Sequence, residues 1–135
     1  MAKQKWNAGG LKHPISRARG LGAAHDGVNH WKMQRITAIA NSILGLWLVY
    51  SIIHLAGADY SVIREWLAIP FNAIMMIFFI MSSFYHAVLG AQVIVEDYIH
   101  CEWYKITKLV GMKLIYFGLA LACIFSILKV AFVSG

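Results

Sequence analysis

The chain has 135 residues, of which 60% are hydrophobic and only 13% charged, with a formal net charge of +6. Soluble domains carry about 25% charged residues, so the composition excludes an ordinary soluble enzyme and puts the chain among membrane proteins. The positive charge is not spread as a nucleic-acid surface would require. Lys3, Lys5, Lys12, Arg17, Arg19, Lys32 and Arg35 all precede the first apolar block, opposed by Asp26 alone. A cationic flank before a spanning helix is a topology signal, with attraction to anionic lipid as a compatible second role.

The fold class this implies is all-α: an integral membrane unit of three transmembrane helices behind a basic N-terminal tail. Residues 1–30 are polar, basic and dotted with glycine, and read as a tail with little regular structure. Residues 31–135 form the anchor. Its first span is predicted over 36–55, an uncharged run of the length that crosses a hydrocarbon core of about 30 Å. A short polar turn follows, with Gly57, Asp59 and Tyr60, and then Arg64 and Glu65. The second span, 67–95, is longer than a perpendicular helix needs and is expected to tilt or protrude. Pro70 lies near its start, where a missing amide is tolerated, and Glu96-Asp97 ends it. A polar, aromatic connector leads to the third span, 109–133, whose Lys113 and Lys129 can snorkel to opposite interfaces.

Three spans leave the termini on opposite sides. The tail and second connector hold most of the Lys and Arg, so both are expected on the cytoplasmic face. This suits a multi-pass protein of the bacterial inner membrane, or, as the alternative, of the mitochondrial inner membrane with these segments in the matrix. The first apolar block begins too late and runs too long for a cleavable signal sequence. Cys101 and Cys123 show no metal-ligand spacing, and no disulfide is expected between them.

His86 is the residue most informative about chemistry. It lies nine residues inside the Val95 end of the second span, roughly 14 Å deep, where an ionisable group is costly and signals function. Two readings are open: a hydrogen bond to a neighbouring helix, or an axial ligand to haem iron. Ser82 and Gly90 stand one turn to either side on the same face, and small groups there leave room along the helix for a porphyrin. His54 is the other intraspan histidine. It falls near the opposite surface, about 28 Å along its helix from the inner end, so both cannot reach one iron and a second ligand would come from another chain. Arg35 opens the first span, either as a topology charge or as a bidentate partner for a propionate. Asp97 lies about 20° from the His86 face, and with the Tyr98 phenol it offers a proton route and a donor to a lipophilic carbonyl such as a quinone. The competing reading is a helix-end carboxylate with an interfacial tyrosine. No triad, metal cluster, phosphate loop or dinucleotide fingerprint is found, so electrons would have to arrive from a partner.

The run from His86 through Gly90, Ala91 and Gln92 to Asp97-Tyr98 resembles the H-A-x-x-G…D-Y signature of the D-type hydrophobic membrane anchor of succinate dehydrogenase (respiratory complex II), the cytochrome b556 family. Gln34-Arg35-Ile36-Thr37-Ala38-Ile39 is similar to that family's R-x-T-A-[IV] sequence at the first helix. The resemblance covers roughly residues 30–105, while the third span matches in hydropathy alone. It implies His86 as one ligand of haem b shared with a C-type anchor subunit, and Arg35 at a propionate. It also implies Tyr98 at a ubiquinone carbonyl, with Asp97 in the polar shell of that site. FAD and iron–sulfur clusters would belong to partner flavoprotein and iron–sulfur subunits, and this subunit alone would be non-catalytic. Quinol:fumarate reductase anchors, a haem-free assembly scaffold and a small transporter subunit are the alternatives. A transporter predicts a polar path, for which Asn41, Asn72 and His86 are the available groups.

Overall fold

The computed structural model describes residues 23–133, which form four helices in the order α1 (Ala23–Leu55), α2 (Tyr60–Ala68), α3 (Pro70–Tyr98) and α4 (Glu102–Val133). Among the described residues there is no strand. Three of these helices are long and apolar enough to cross a membrane, over Gly27–Leu55, Pro70–Tyr98 and Glu102–Phe132. The three predicted spans are therefore present. The basic tail up to residue 22 lies outside the described residues.

The helix limits differ from the hydropathy limits in a consistent direction. α1 starts at Ala23, so residues 23–30 are helical rather than part of an irregular tail. α3 continues through Glu96 and Asp97 to Tyr98, and α4 begins at Glu102 instead of 109. Most of the expected connector is thus helix, and only 99–101 joins the two. Hydropathy marks where the apolar solvent ends, whereas a helix continues into the headgroup layer so long as its backbone bonds close within the chain.

Pro70 accounts for the fourth helix. Proline lacks an amide proton and drives the residue before it out of helical geometry. Ile69 is accordingly extended, at φ −67° and ψ 119°, and Pro70 occupies the first turn of α3. The residues expected as a polar turn, together with Leu67 and Ala68 from the start of the expected second span, therefore form the separate nine-residue α2, whose Ile63, Trp66 and Leu67 share one side and whose Arg64 and Glu65 lie off it. This is the pattern of a helix at an interface. Its C-terminal carbonyls would be unpaired, but Asn72, itself buried, donates from Nδ2 to the Trp66 carbonyl at 2.8 Å. The Trp66 ring stacks on Trp47 of α1 with centroids 5.8 Å apart. Between α1 and α2 the chain turns at Gly57, whose φ of +81° favours a residue without a β-carbon.

α3 is the central helix. It packs against both α1 and α4, and α2 rests on α3 and α4. The buried interior is small and unusually polar: Ala73, Leu89 and Ile127 are matched by Thr37, Ser51 and Asn72. Large apolar side chains instead point outward, among them Ile43, Leu46, Phe117 and Phe132. In water such a molecule would be inside-out. In lipid the exposed chains are solvated, and the few polar groups link the helices.

Candidate functional site

The seam between α1 and α3 is built from polar side chains at helical spacing. On α1, His30, Gln34, Thr37 and Asn41 recur on one face. On α3, Ser82, Ser83, His86 and Gly90 meet them. Thr37 Oγ1 lies 2.9 Å from His86 Nδ1. Ser83 Oγ donates to Asn41 Oδ1 at 3.3 Å, and Ser82 Oγ reaches the Thr37 carbonyl in a long contact of 3.5 Å. One turn further, the Gln34 Nε2 atom sits 3.6 Å from where a β-carbon on Gly90 would stand. As α1 advances from Gln34 to Asn41, its contacts on α3 recede from Gly90 to Ser83, so the helices run antiparallel and share one depth scale.

Ser82, His86 and Gly90 thus share one side of α3, and that side faces α1. The small groups admit the side chains and backbone of α1. His86 is half-buried. Among the described residues its one hydrogen-bonded atom is Nδ1, with Thr37 as the partner. His54, by contrast, is exposed and packs edge-on against Tyr50, with ring centroids 4.2 Å apart. It lies seventeen residues beyond Thr37 on α1, about 26 Å along the axis, so it stands far from His86.

Arg35 is close to His86 in depth but not in direction. It stands two residues before Thr37, about 3 Å along the axis and roughly 200° around α1. Its guanidinium lies over the Trp31 ring, 4.4 Å from the centroid. It is also the thirteenth residue of α1 rather than the first, so it sits well inside the helix. Tyr98 and Asp97 are exposed at the end of α3, Tyr98 at 80%. Twelve residues separate Tyr98 from His86, about 18 Å of helix. The chain therefore keeps the His86 group and the Tyr98–Asp97 group apart, one in the seam and one at the helix end.

Sequence reasoning singled out His86 but not the residues that hold it. Thr37 and Gln34 were visible only as letters of a motif, and no role followed for His30. Their recurrence at 30, 34, 37 and 41, all polar in an apolar helix, was the available signal. His30 Nε2 and Gln34 Oε1 are buried with no hydrogen-bond partner among the described residues. Asn41, Asn72 and His86, the groups a transporter would need, are each engaged in a hydrogen bond between segments. No group of three or more His, Cys, Asp or Glu able to hold a bare metal ion occurs among the described residues.

These features define a class: a helical membrane subunit whose mid-span histidine, His86, is bonded by a neighbouring helix, with exposed polar groups at one end. Comparison with known proteins narrows it. Residues 10–128 match the family described as succinate dehydrogenase/fumarate reductase transmembrane subunit. The succinate dehydrogenase hydrophobic membrane anchor subunit of Rickettsia bellii is 39% identical over 74% of this chain and 80% of its own length. That of Rickettsia conorii is 34% identical over 77% of this chain and 83% of its own, and that of Paracoccus denitrificans is 25% identical over 63% and 66%. No solved structure matches the chain. The chain belongs to the succinate dehydrogenase/fumarate reductase transmembrane subunit family, as a membrane anchor of the succinate dehydrogenase kind.

Proposed function

We propose that this chain and a second, C-type anchor subunit together hold haem b, with His86 as one axial ligand, and that Tyr98 and Asp97 help to form a ubiquinone site. Succinate would be oxidised at FAD in a partner flavoprotein, and electrons would travel through the clusters of a partner iron–sulfur subunit. By itself this subunit is expected to be inactive.

The observation that carries the reading is the state of His86, a half-buried imidazole in mid-span with Nδ1 engaged by Thr37 and Nε2 without a partner among the described residues. The donor set fits haem better than a bare ion. A zinc-type site needs three or four protein ligands, and no such group occurs among the described residues; haem would ask only His86 of this chain. Bound there, haem supplies one-electron redox chemistry; this chain's part is to ligate, orient and exclude water. Arg35 is the candidate that would pair with a propionate of the bound haem. Ser82 and Gly90 act through the seam, by letting α1 close upon His86.

Tyr98, exposed at the end of α3, would donate to a quinone carbonyl, with Asp97 beside it as an exposed carboxylate. Lys32 and Arg35 in the first half of α1, and Lys105 and Lys108 early in α4, fall at one end of the bundle, which favours that end as the cytoplasmic face of a bacterial inner membrane. The names of the similar relatives favour succinate oxidation over fumarate reduction.

The test is a reduced-minus-oxidised visible spectrum of the whole complex, co-expressed with its flavoprotein, iron–sulfur and second anchor subunits. A b-type signal lost in His86→Ala is the expected result. A signal unchanged by that substitution removes His86 from the site.

A further inference from the structure

The seam contains a hydroxyl, Thr37 Oγ1, within hydrogen-bond distance of one nitrogen of His86. We infer that Thr37 is a positioning residue that locks His86 as the Nδ1–H tautomer and so frees Nε2 for iron; this rests on the haem reading above. Thr37 Oγ1 makes three close approaches: to the Met33 carbonyl at 2.8 Å, to the Gln34 carbonyl at 3.2 Å and to His86 Nδ1 at 2.9 Å. The hydroxyl has one proton. A carbonyl oxygen cannot donate, so an oxygen–oxygen distance of 2.8 Å is attractive only if that proton lies between Oγ1 and Met33. The Oγ1 lone pairs are then what faces the imidazole, and Nδ1 must supply the proton. A neutral imidazole protonated on Nδ1 presents its lone pair on Nε2, the atom able to bind a metal.

The chain Nδ1–H to Oγ1–H to carbonyl also polarises in one direction, and each bond strengthens the next. Thr37 is only 8% exposed, so water does not compete effectively for either bond. Its rotamer is fixed by β-branching and by the bond back to its own helix. An imidazole with its second nitrogen donating to such an acceptor is a better base, and holds ferric iron more strongly relative to ferrous iron. Removing the acceptor therefore raises the midpoint potential of the haem. Outer partners of this kind change metal affinity by about 10- to 100-fold. A tenfold change in the preference for ferric over ferrous iron corresponds to about 59 mV in a one-electron couple.

The experiment compares Thr37→Val, Thr37→Ser and His86→Ala in the complete complex, reading haem per flavin, the potential by redox titration and the low-temperature spectrum. Thr37→Val is expected to raise the potential and lower haem retention at least several-fold on dilution, while Thr37→Ser restores both. If Thr37→Val blocks assembly, Thr37→Ala removes the hydroxyl without adding bulk and is read in the same way. Loss of haem in His86→Ala with an unshifted potential and spectrum in the assembled Thr37 variant overturns the role of Thr37 and leaves the haem reading intact. Haem retained in His86→Ala overturns both.

Discussion

The two seams of α3 are built on different principles. Towards α1, side chains cross the gap and bond to the opposite helix, as in Thr37 to His86 and Ser83 to Asn41. Towards α4, the aromatic pair Phe84 and Tyr116 meets at 6.2 Å in a tilted, edge-on arrangement. The α4 hydroxyls turn back on their own helix, Thr107 to the Trp103 carbonyl and Ser126 to that of Ala122. In lipid there is little hydrophobic drive between helices, so dispersion and hydrogen bonds must set their pairing. Aromatic packing tolerates small slides. A hydrogen bond to one nitrogen of one ring does not, and it fixes α1 against α3 in register and rotation. The seam fixed in this way is the one that contains His86.

The sharpest way to break the contrast is to overfill the fixed seam. Gly90→Phe would drive a ring into Gln34, where even a β-carbon already lies at contact distance of 3.6 Å, and overpacking of this kind costs about 1–3 kcal/mol. The same change at Gly118 of α4, with nothing within 4 Å, should leave the chain's own packing unchanged. Thermal unfolding of the detergent-purified complex is expected to fall sharply for the first and little for the second. Equal effects would remove the distinction.

Next in size is a change outside both seams. Tyr98→Phe keeps the ring and deletes one donor, worth up to about 1.5 kcal/mol. Quinone reduction should fall up to about tenfold, with succinate oxidation by soluble artificial acceptors retained. Parallel loss of both activities argues for a structural role instead.

Phe84→Ala should remove about 0.5–1.5 kcal/mol of ring–ring attraction from the α4 seam, together with some buried area, and lower the unfolding temperature without shifting the haem spectrum. A shifted spectrum would mean that the α4 seam also positions the site. The smallest effect belongs to Ser83→Ala. Interhelical hydrogen bonds in membranes average about 0.6 kcal/mol, so the unfolding temperature should move only slightly. A drop as large as that of Gly90→Phe would show the polar seam to be cooperative rather than a sum of separate bonds.

How much could be read in the sequence follows from what each signal depends on. The three spans were legible because hydrocarbon thickness and backbone satisfaction constrain any chain of this composition. His86 was legible because a single ionisable group in an apolar run stands out without knowledge of its neighbours. The break at Pro70 was half-legible: the proline was noted near a helix start, but the span was begun at Leu67 because Leu67, Ala68 and Ile69 are apolar, and the rest of α2 was read as a polar turn. The extended ends of α1, α3 and α4 were missed because charged residues end an apolar run without ending a helix.

The sequence by itself thus determined the class, the number of spans and the depth of His86, since these depend on composition and on distance along a single helix. Only the tertiary structure decided which atoms meet. Thr37 and His86 are forty-nine residues apart, and no periodicity within either helix reveals that they touch. Their contact, the engaged nitrogen of the ring, and the turning of Arg35 away from α3 all depend on the rotation of one helix against another. That rotation is set by side chains filling a shared seam, a property of two segments together.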